Sequence, residues 1–284
     1  MARTLWLVGT PIGNLEDVTE RARRVLAEVD VIACEDTRRT RALLSHLGIP
    51  SPRLVSFFEG NEERRVPELL EALREGRSVA LVTDAGMPAV SDPGFRLVAA
   101  CAGEGIEVDA VPGPSAAVTA LALSGLPTDR FAFEGFLPRR PGERRRRLEG
   151  LAAETRTVVL FESPRRLPSL LREAARALGD RRAAVARELT KAHQEVARGT
   201  LSELAERFSE PPRGEVVVVV EGAAPAGATD LGELAERVRR LTEGGASRKD
   251  AAARIAAEAG VSRRALYEES LRPPGRRVEP GEAG

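Results

Sequence analysis

The sequence is poor in the residues on which metal sites and disulfide frameworks depend. Its 284 residues include only two cysteines and two histidines. Cys34 and Cys101 lie in apolar stretches and are interpreted as buried thiols, while His46 and His193 are interpreted as ordinary polar residues. This spacing fits neither a zinc site nor a set of disulfides. We therefore expect no metal cofactor.

Long apolar runs and an excess of charge of one sign are also missing. No apolar run approaches the ~18 residues of a membrane-spanning helix, and a strand-like segment follows the amino terminus without a signal peptide. We expect a cytoplasmic protein with no membrane partner. The 43 basic and 43 acidic residues cancel, so any contact with nucleic acid must come from a local cluster of charge.

The common nucleotide-binding fingerprints are absent as well. The predicted strand Thr4–Val8 runs into a loop with the pattern G-x-x-x-G, from Gly9 to Gly13. This loop lacks the third glycine of a dinucleotide fingerprint and the Gly-Lys-Ser/Thr of a phosphate-binding loop. The sequence therefore argues against the common NAD and ATP folds.

What the chain does contain is a set of Gly/Pro-rich loops directly after predicted strands. The most conspicuous is LVTDAGMPAVSDPG, from Leu81 to Gly94. Open α/β sheets bind ligands at such strand ends; Asp84 could fix a ligand hydroxyl or amine, and Gly86 would allow close approach of the backbone. A third loop leads to Ser115 near the first turn of a helix, a position suited to a carboxylate. The alternative is a well-made turn with Asp92 as an Asx cap.

Strand, loop and helix alternate along the chain, which predicts the α/β class. We expect a parallel-sheet α/β domain over residues 1–115, a second α/β domain over 116–225 and a small helical domain over 226–284. Within the last, residues 247–271 have a helix-turn-helix pattern. We predict a linker over 223–229 and a disordered tail from residue 272.

An acidic pair and an arginine run are the candidate catalytic and RNA-binding groups. Glu35 and Asp36 end a predicted strand and could act as a general base; alternatively, Asp36 caps the next helix and Arg38 lies in solvent. Residues 139–147 contain six arginines, which suit phosphate contacts to RNA or form a solvated face. The arginines predicted to contact RNA are Arg139, Arg140, Arg144 and Arg145.

Seven motifs, in this order and spacing, carry a family resemblance over about residues 4–222. They are GTPIGNLEDVTERA (9–22), CEDTRRT (34–40), LVTDAGMPAVSDPGFRLV (81–98), VPGPSAAVTALALSGLP (111–127), FEGFLPRR (133–140), FESPRRL (161–167) and VARELTK (185–191). Together they resemble the small-subunit ribosomal RNA 2′-O-ribose cytidine methyltransferases, in the tetrapyrrole-methylase-like class of S-adenosylmethionine enzymes.

The resemblance implies that two α/β domains hold S-adenosylmethionine in the cleft between them, often as a homodimer. It implies a cytidine in the decoding region of 16S rRNA, or the small ribosomal subunit that contains it, as the substrate. The donor contacts that it implies are Pro11, Asp84, Ala85, Gly86, Met87, Ser115, Ala116, Phe161 and Leu189.

Three departures from the family pattern affect individual positions. Met87 stands where the family more often has Thr, and His193-Gln194 differs from the usual residues after ELTK. Gly60 stands where a His often precedes Asn-Glu, so a histidine base at that position is impossible here.

For the chemistry that the resemblance implies, Glu35 and Asp36 are the candidate bases, and Arg38 would hold a phosphate or orient a carboxylate. Lys191 could polarise the ribose or contact phosphate, with Glu188 orienting it. Two alternatives stay open: a methyltransferase of the same class acting on a tetrapyrrole or another small acceptor, and a DNA-binding regulator that uses the carboxyl-terminal helices.

Overall fold

The structure, a computed structural model, describes residues 3–224, 231–259 and 261–271. Most of the predicted linker over 223–229 and all of the predicted tail from residue 272 lie outside the described residues. Residues 1–222 and 223–284 form separate compact units. The elements of the first unit are, in order, β1 (Thr4–Val8), α1 (Glu20–Glu28), β2 (Val31–Cys34), α2 (Thr37–His46), β3 (Arg53–Ser56), α3 (Glu62–Arg74), β4 (Val79–Val82), α4 (Phe95–Gly103), β5 (Glu107–Val111), α5 (Ala116–Ser124), β6 (Phe131–Phe136), α6 (Pro141–Gly150), β7 (Thr157–Glu162), α7 (Leu167–Leu178), β8 (Arg182–Arg187), β9 (Glu195–Thr200), α8 (Leu201–Arg207) and β10 (Val216–Val220).

The first sheet is parallel throughout and has the strand order β3-β2-β4-β1-β5. Strands β2 and β4 are buried along their whole length because helices cover both faces, as parallel sheets require. The core on one face contains Leu26 of α1 and Leu44 of α2, and the core on the other contains Leu69 of α3 and Leu97 of α4. The predicted parallel sheet is confirmed.

This strand order decides where the loops meet. Strand β1 lies between β4 and β5, and all three run in the same direction. The Gly/Pro loops that follow these strands therefore leave the sheet side by side at its carboxyl edge, where open α/β sheets bind ligands.

The second sheet has the order β6-β7-β10-β8-β9, and only the β6–β7 pair is parallel. Its central strand β10 consists of five valines, all buried. Helices α6, α7 and α8 cover one face. Helix α5 packs on the other, over Val159, Val217 and Val219.

A side-chain cap sets the start of the first helix. Residues Leu15–Asp17 form a short 3₁₀ turn, and α1 begins at Glu20. Thr19 caps α1 because its side chain accepts a hydrogen bond from the Ala22 amide, as serine and threonine caps do.

The second unit contains α9 (Leu231–Glu243), α10 (Arg248–Ala259) and α11 (Arg263–Leu271). These helices share a small core that includes Leu234, Ile255 and Leu266. Ser262 accepts a hydrogen bond from the Ala265 amide and caps α11, in agreement with the predicted pattern. None of the helices in the described parts of the chain is long and apolar enough to cross a membrane.

Candidate active site

Backbone hydrogen bonds join the loops that follow β1, β4 and β5 into one surface. Thr10 and Gly86 exchange two of them, with N···O distances of 2.9 and 3.1 Å. The Gly9 amide donates to the Val111 carbonyl at 3.0 Å, and the Thr10 hydroxyl donates to the Thr83 carbonyl at 3.1 Å. The loops are therefore fixed relative to one another before any ligand binds.

Glycine allows these loops to approach more closely than side chains would permit. A Cβ on Gly113 would lie 2.8 Å from the Cα of Gly9, and a Cβ on Gly9 would lie 2.8 Å from the sulfur of Met87. Gly86 has a φ of 87°, a conformation that favours glycine. The glycines noted in the sequence are thus required by backbone contact between loops.

The same surface touches the second sheet through the turn between β8 and β9. The Asn14 amide donates to the Thr190 hydroxyl at 3.0 Å. A Cβ on Gly13 would lie 2.6 Å from Cγ of Lys191. Glu188 and Thr190 both have positive φ, 50° and 65°, a strained conformation that is frequent at functional sites. The two sheets therefore meet at the carboxyl edge of the first.

Several of the predicted donor contacts converge at this junction. Leu189 and Phe161 share an apolar cluster with Ile12 and Ala116, and Phe161 stacks edge-on against Phe133 with 4.9 Å between ring centroids. An apolar wall of this kind suits the adenine or the methyl-bearing chain of S-adenosylmethionine.

Helix α5 points its amino terminus at the same junction. The Ser115 hydroxyl accepts from the Val118 amide at 3.5 Å, and the first backbone bond of the helix runs from the Thr119 amide to the Ser115 carbonyl. The amides of Ala116 and Ala117 precede that bond and are left for a ligand. A carboxylate fits this positive helix end, so the residues suit the amino-acid part of S-adenosylmethionine.

The Asp84 side chain contacts the start of α2. Its carboxylate accepts the Asp36 amide at 3.2 Å and forms an ion pair with Arg39 at 3.2 Å. Both partners belong to the start of α2, so the side chain that the sequence assigns to the donor is held by the neighbouring helix. The backbone of residues 84–87 still lines the joined loops.

The charges of three carboxylates, Glu35, Asp84 and Asp92, interact at this edge of the first sheet. Burial, assisted by the charges of Glu35 and Asp84, raises the pKa of Asp92 to about 7. Burial, and next the charge of Asp84, raises the pKa of Glu35. A group of this kind holds a proton near neutral pH, as catalytic acids and bases must.

Asp36 has a different environment from Glu35. It caps α2, accepting from the Arg38 amide at 2.8 Å, and it pairs with the Arg38 guanidinium at 2.9 Å. The hydrogen bonds from Arg38 lower the pKa of Asp36 to about 2. The geometry therefore supports the alternative in which Asp36 is a helix cap, and it leaves Glu35 as the stronger candidate base.

Lys191 lies between two carboxylates. Its ammonium is 2.8 Å from Glu188 and 2.9 Å from Glu215. Burial acts to lower the pKa of Lys191, but the hydrogen bonds to these two residues outweigh it and the pKa is raised. Lys191 thus stays protonated and ties the 188–194 turn together, with Glu188 as its predicted partner.

The arginine run divides into buried and exposed members. Arg144 is 5% exposed, and its guanidinium binds Glu173 at 2.8 and 2.5 Å, so α6 and α7 are joined by the residue that the sequence assigns to RNA. Arg139, Arg140 and Arg145 are exposed.

Arg166 holds the loop that carries Arg139 and Arg140 in place. The Arg166 guanidinium donates to the Leu137 carbonyl at 2.9 Å and pairs at 3.0 Å with Glu162, whose side chain is buried. Two of the exposed arginines are therefore presented on a fixed loop at the end of β6.

Sequence reasoning missed Asp92 and Arg39 as members of the site. The signal for Asp92 was its place in a loop after a buried strand, where an Asx cap was an equally good explanation. Arg39 follows Arg38 directly, and nothing in the sequence distinguishes the two arginines. Folding brings Asp92, from the loop after β4, and Arg39, from α2, to the carboxylates of Glu35 and Asp84.

A pH-dependent change in stability tests the environment of Asp92. A carboxyl whose pKa is raised on folding binds a proton that the unfolded chain has released, so stability falls between about pH 4 and pH 7 as pH rises. Asp92→Asn removes this cost. We expect the variant to gain about 1–2 kcal/mol at pH 8, after discounting for solvent screening, and almost nothing at pH 4.

Denaturant unfolding of the wild type and Asp92→Asn at a series of pH values measures this difference. Asp109→Asn serves as a control in an ordinary partly exposed ion pair with Arg21. A gain for Asp92→Asn that is equal at pH 4 and pH 8 contradicts a raised pKa.

Comparison with known proteins supplies the family. Residues 4–205 match the model of the Tetrapyrrole (Corrin/Porphyrin) Methylases. The chain is 54% identical over 220 residues to "Ribosomal RNA small subunit methyltransferase I" of Thermotoga maritima, covering 77% of this chain and 98% of that protein. The protein of the same name from Mycobacterium bovis is 48% identical over 270 residues, covering 94% of each chain.

Solved structures agree on the fold. Cobalt precorrin-4 methyltransferase superposes with a TM-score of 0.57 at 20% identity, covering 77% of this chain and 95% of that one. Diphthine synthase superposes with a TM-score of 0.57 at 17% identity, covering 77% of this chain and 89% of that one. The chain therefore belongs to the tetrapyrrole methylase family and, within it, to the ribosomal RNA small subunit methyltransferase I family.

Proposed function

We propose that this protein is an S-adenosylmethionine-dependent methyltransferase that modifies the ribose 2′-oxygen of a cytidine in the decoding region of 16S rRNA. The observation that carries the proposal is the junction of the three loops with the second sheet, which has carboxylates of raised pKa at the same edge. The relatives named for ribosomal RNA small subunit methylation support RNA as the acceptor.

The first step is to hold and align the donor. Bound S-adenosylmethionine supplies a methyl group on a positively charged sulfur. The amides of Ala116 and Ala117 would hold its carboxylate at the start of α5. Gly86 and Met87 would line one side of it, and the apolar cluster with Leu189 and Phe161 the other. Fixed loops favour transfer mainly by alignment and by exclusion of water.

The second step is to take a proton from the acceptor. A ribose hydroxyl is a weak nucleophile, so a carboxylate that accepts its proton increases the rate. Glu35 is the proposed base because burial and the charge of Asp84 raise its pKa. The charge of Glu35 contributes to the raised pKa of Asp92, so the two carboxyls are electrostatically coupled. Asp36, as a cap with a low pKa, is not assigned this role.

The third step is to hold the RNA. The exposed side chains of Arg139, Arg140 and Arg145 suit phosphate groups, and Arg166 fixes the loop that carries the first two. The guanidinium of Arg38 is 86% exposed and paired with Asp36 on one side, so it also remains a candidate for phosphate. Lys191 we assign to positioning the 188–194 turn. A homodimer and a cytoplasmic location, which the family resemblance implies, remain predictions.

Transfer of a labelled methyl group distinguishes the acceptors. Purified protein and radiolabelled S-adenosylmethionine are incubated with one acceptor at a time. The acceptors are small ribosomal subunits, large ribosomal subunits and a tetrapyrrole precursor. The subunits come from cells that lack the corresponding gene. We expect label in 16S rRNA only. Label in the tetrapyrrole but in neither subunit would contradict the proposal and favour the small-acceptor alternative.

A further inference from the structure

A second concavity lies beside the predicted donor site, on the α2 side of the first sheet. It has a volume of about 250 Å³ and opens between the tips of β1 and β4 and one face of α2. Pro11, Leu15 and Leu43 form apolar walls, while Arg39, Thr40 and Asp84 contribute polar atoms. The mechanism described above makes no use of this cavity.

The lining residues argue that the cavity is not the donor pocket. None of them comes from the loop after β5, from α5 or from the second sheet, where Ser115, Phe161 and Leu189 lie. Its volume is also below the 300–1,000 Å³ typical of pockets for drug-sized ligands. Pro11 and Asp84, however, belong to the joined loops, so the cavity adjoins the place where a donor would lie. An acceptor must bind at such a position.

The polar pair in the cavity complements the hydrogen-bonding edge of cytosine. The Arg39 guanidinium and the Asp84 carboxylate are 3.2 Å apart, with side-chain exposures of 67% and 24%. They offer hydrogen-bond donors next to an acceptor. Cytosine presents an amino donor at N4 beside acceptors at N3 and O2, which matches this pair, and carboxylates accept from that amino group in known complexes. Uracil reverses both groups, with an acceptor at O4 and a donor at N3.

We propose that this cavity binds the base of the acceptor nucleotide and that the Arg39–Asp84 pair selects cytosine over uracil. The inference rests on the proposed function and adds the recognition of the base. An unstacked base from a single-stranded region enters between Pro11, Leu15 and Leu43, as extruded bases stack between aromatic or apolar side chains in enzymes that modify nucleotides. Its ribose then lies toward the joined loops, on the same edge of the sheet as Glu35.

The test compares cytidine and uridine at the methylated position. Small subunits are assembled with either nucleotide at that site, and kcat/KM for methyl transfer is measured for the wild type, Asp84→Asn, Arg39→Gln and Arg41→Ala. Arg41 is exposed on the same helix and does not line the cavity, so it controls for loss of one positive charge. Calorimetry measures the Kd for S-adenosylmethionine in parallel.

We expect Asp84→Asn to lower kcat/KM on cytidine by about 10–100-fold. The ratio of cytidine to uridine activity falls toward one, because a carboxamide offers a donor as well as an acceptor. Arg39→Gln should lower kcat/KM on cytidine by about 10-fold, and Arg41→Ala should stay within about twofold. The donor Kd should change by less than about threefold in all variants.

Three results would overturn the inference. The first is a cytidine-to-uridine ratio that Asp84→Asn leaves unchanged, and the second is an Arg39→Gln variant no different from Arg41→Ala. The third is a large loss of donor affinity in Asp84→Asn, which would return Asp84 to the donor site. If the wild type itself forms no 2′-O-methylcytidine, the proposed function fails; if it does and the variants keep their selectivity, only the base pocket fails.

Discussion

Replacing Glu35 by glutamine should lower the rate of methyl transfer by about 10²–10⁴-fold, the usual contribution of a general base. Glutamine keeps the shape of the side chain but cannot accept a proton from the ribose hydroxyl. Because none of the proposed donor contacts involves Glu35, the Kd for S-adenosylmethionine should change by less than about threefold. Single-turnover transfer of labelled methyl to small subunits and calorimetry with the donor measure the two quantities.

Asp36→Asn is the matched control for Glu35→Gln. It removes a carboxylate from the adjacent position, but asparagine also caps helices well, so α2 should remain intact and the rate should fall only slightly. Equal losses in the two variants would contradict the separation of a base from a cap. A Glu35→Gln variant that retains the wild-type rate would remove Glu35 from the mechanism.

The pH dependence of the rate should follow the protonation of Glu35. Burial and the charge of Asp84 raise the pKa of Glu35, so Glu35 takes up a proton at a higher pH than an ordinary glutamate does. The rate should therefore decline toward acid pH, and the decline should begin at a higher pH than an ordinary glutamate would give. Asp36, with a pKa of about 2, would give no change in this range.

Replacing Gly113 by alanine should strongly weaken donor binding at the joined loops. The new Cβ would lie 2.8 Å from the Cα of Gly9 and 2.9 Å from its carbonyl carbon, closer than atoms in folded proteins approach. The loops after β1 and β5 must then separate, and the start of α5 moves away from the donor carboxylate. A displacement of about 1 Å costs roughly 100-fold in activity, and we expect at least that loss in donor affinity.

Gly103→Ala provides the control for Gly113→Ala. Gly103 lies in α4, where a Cβ meets nothing within 4 Å, and alanine favours a helix over glycine. This variant should bind S-adenosylmethionine like the wild type and be as stable or slightly more so. Thermal unfolding separates a local effect of Gly113→Ala from general loss of the fold. An unchanged donor Kd in a folded Gly113→Ala protein would contradict the close approach of the loops.

The first sheet and its loops could be predicted because local sequence determines them. Strands such as Val79–Val82 are short, apolar and rich in β-branched residues. Strands β1, β4 and β5 are each followed by glycine and proline at the point where the chain turns. Parallel strands place such loops at one edge, so the position of the candidate site followed from chain order alone.

The direction of individual side chains could not be predicted in the same way. The sequence assigns Asp84 to the donor and gives no sign that its carboxylate binds the Asp36 amide and Arg39. Nor does the sequence indicate the backbone of residues 87–94, in which Ala89 and Ser91 both have positive φ. No propensity indicates such a conformation for these residue types, and the loop is shaped by its packing.

Helical periodicity separates the buried member of the arginine run from the exposed ones. Arg144 and Leu148 are four residues apart on α6, and both are buried, so helical periodicity already placed Arg144 on the inner face. Its charge is then neutralised by Glu173 on α7. The run of arginines reads as one basic patch in the sequence, whereas the helix divides it into a structural ion pair and a solvent-exposed set.

The product nucleoside tests the central claim most directly. RNA from small subunits that lack the modification is incubated with protein and labelled S-adenosylmethionine, digested to nucleosides and analysed by mass spectrometry. The account predicts labelled 2′-O-methylcytidine, which establishes the reacting oxygen and the base together. Label on a base atom, on another nucleoside or on no RNA despite measurable donor binding would contradict it.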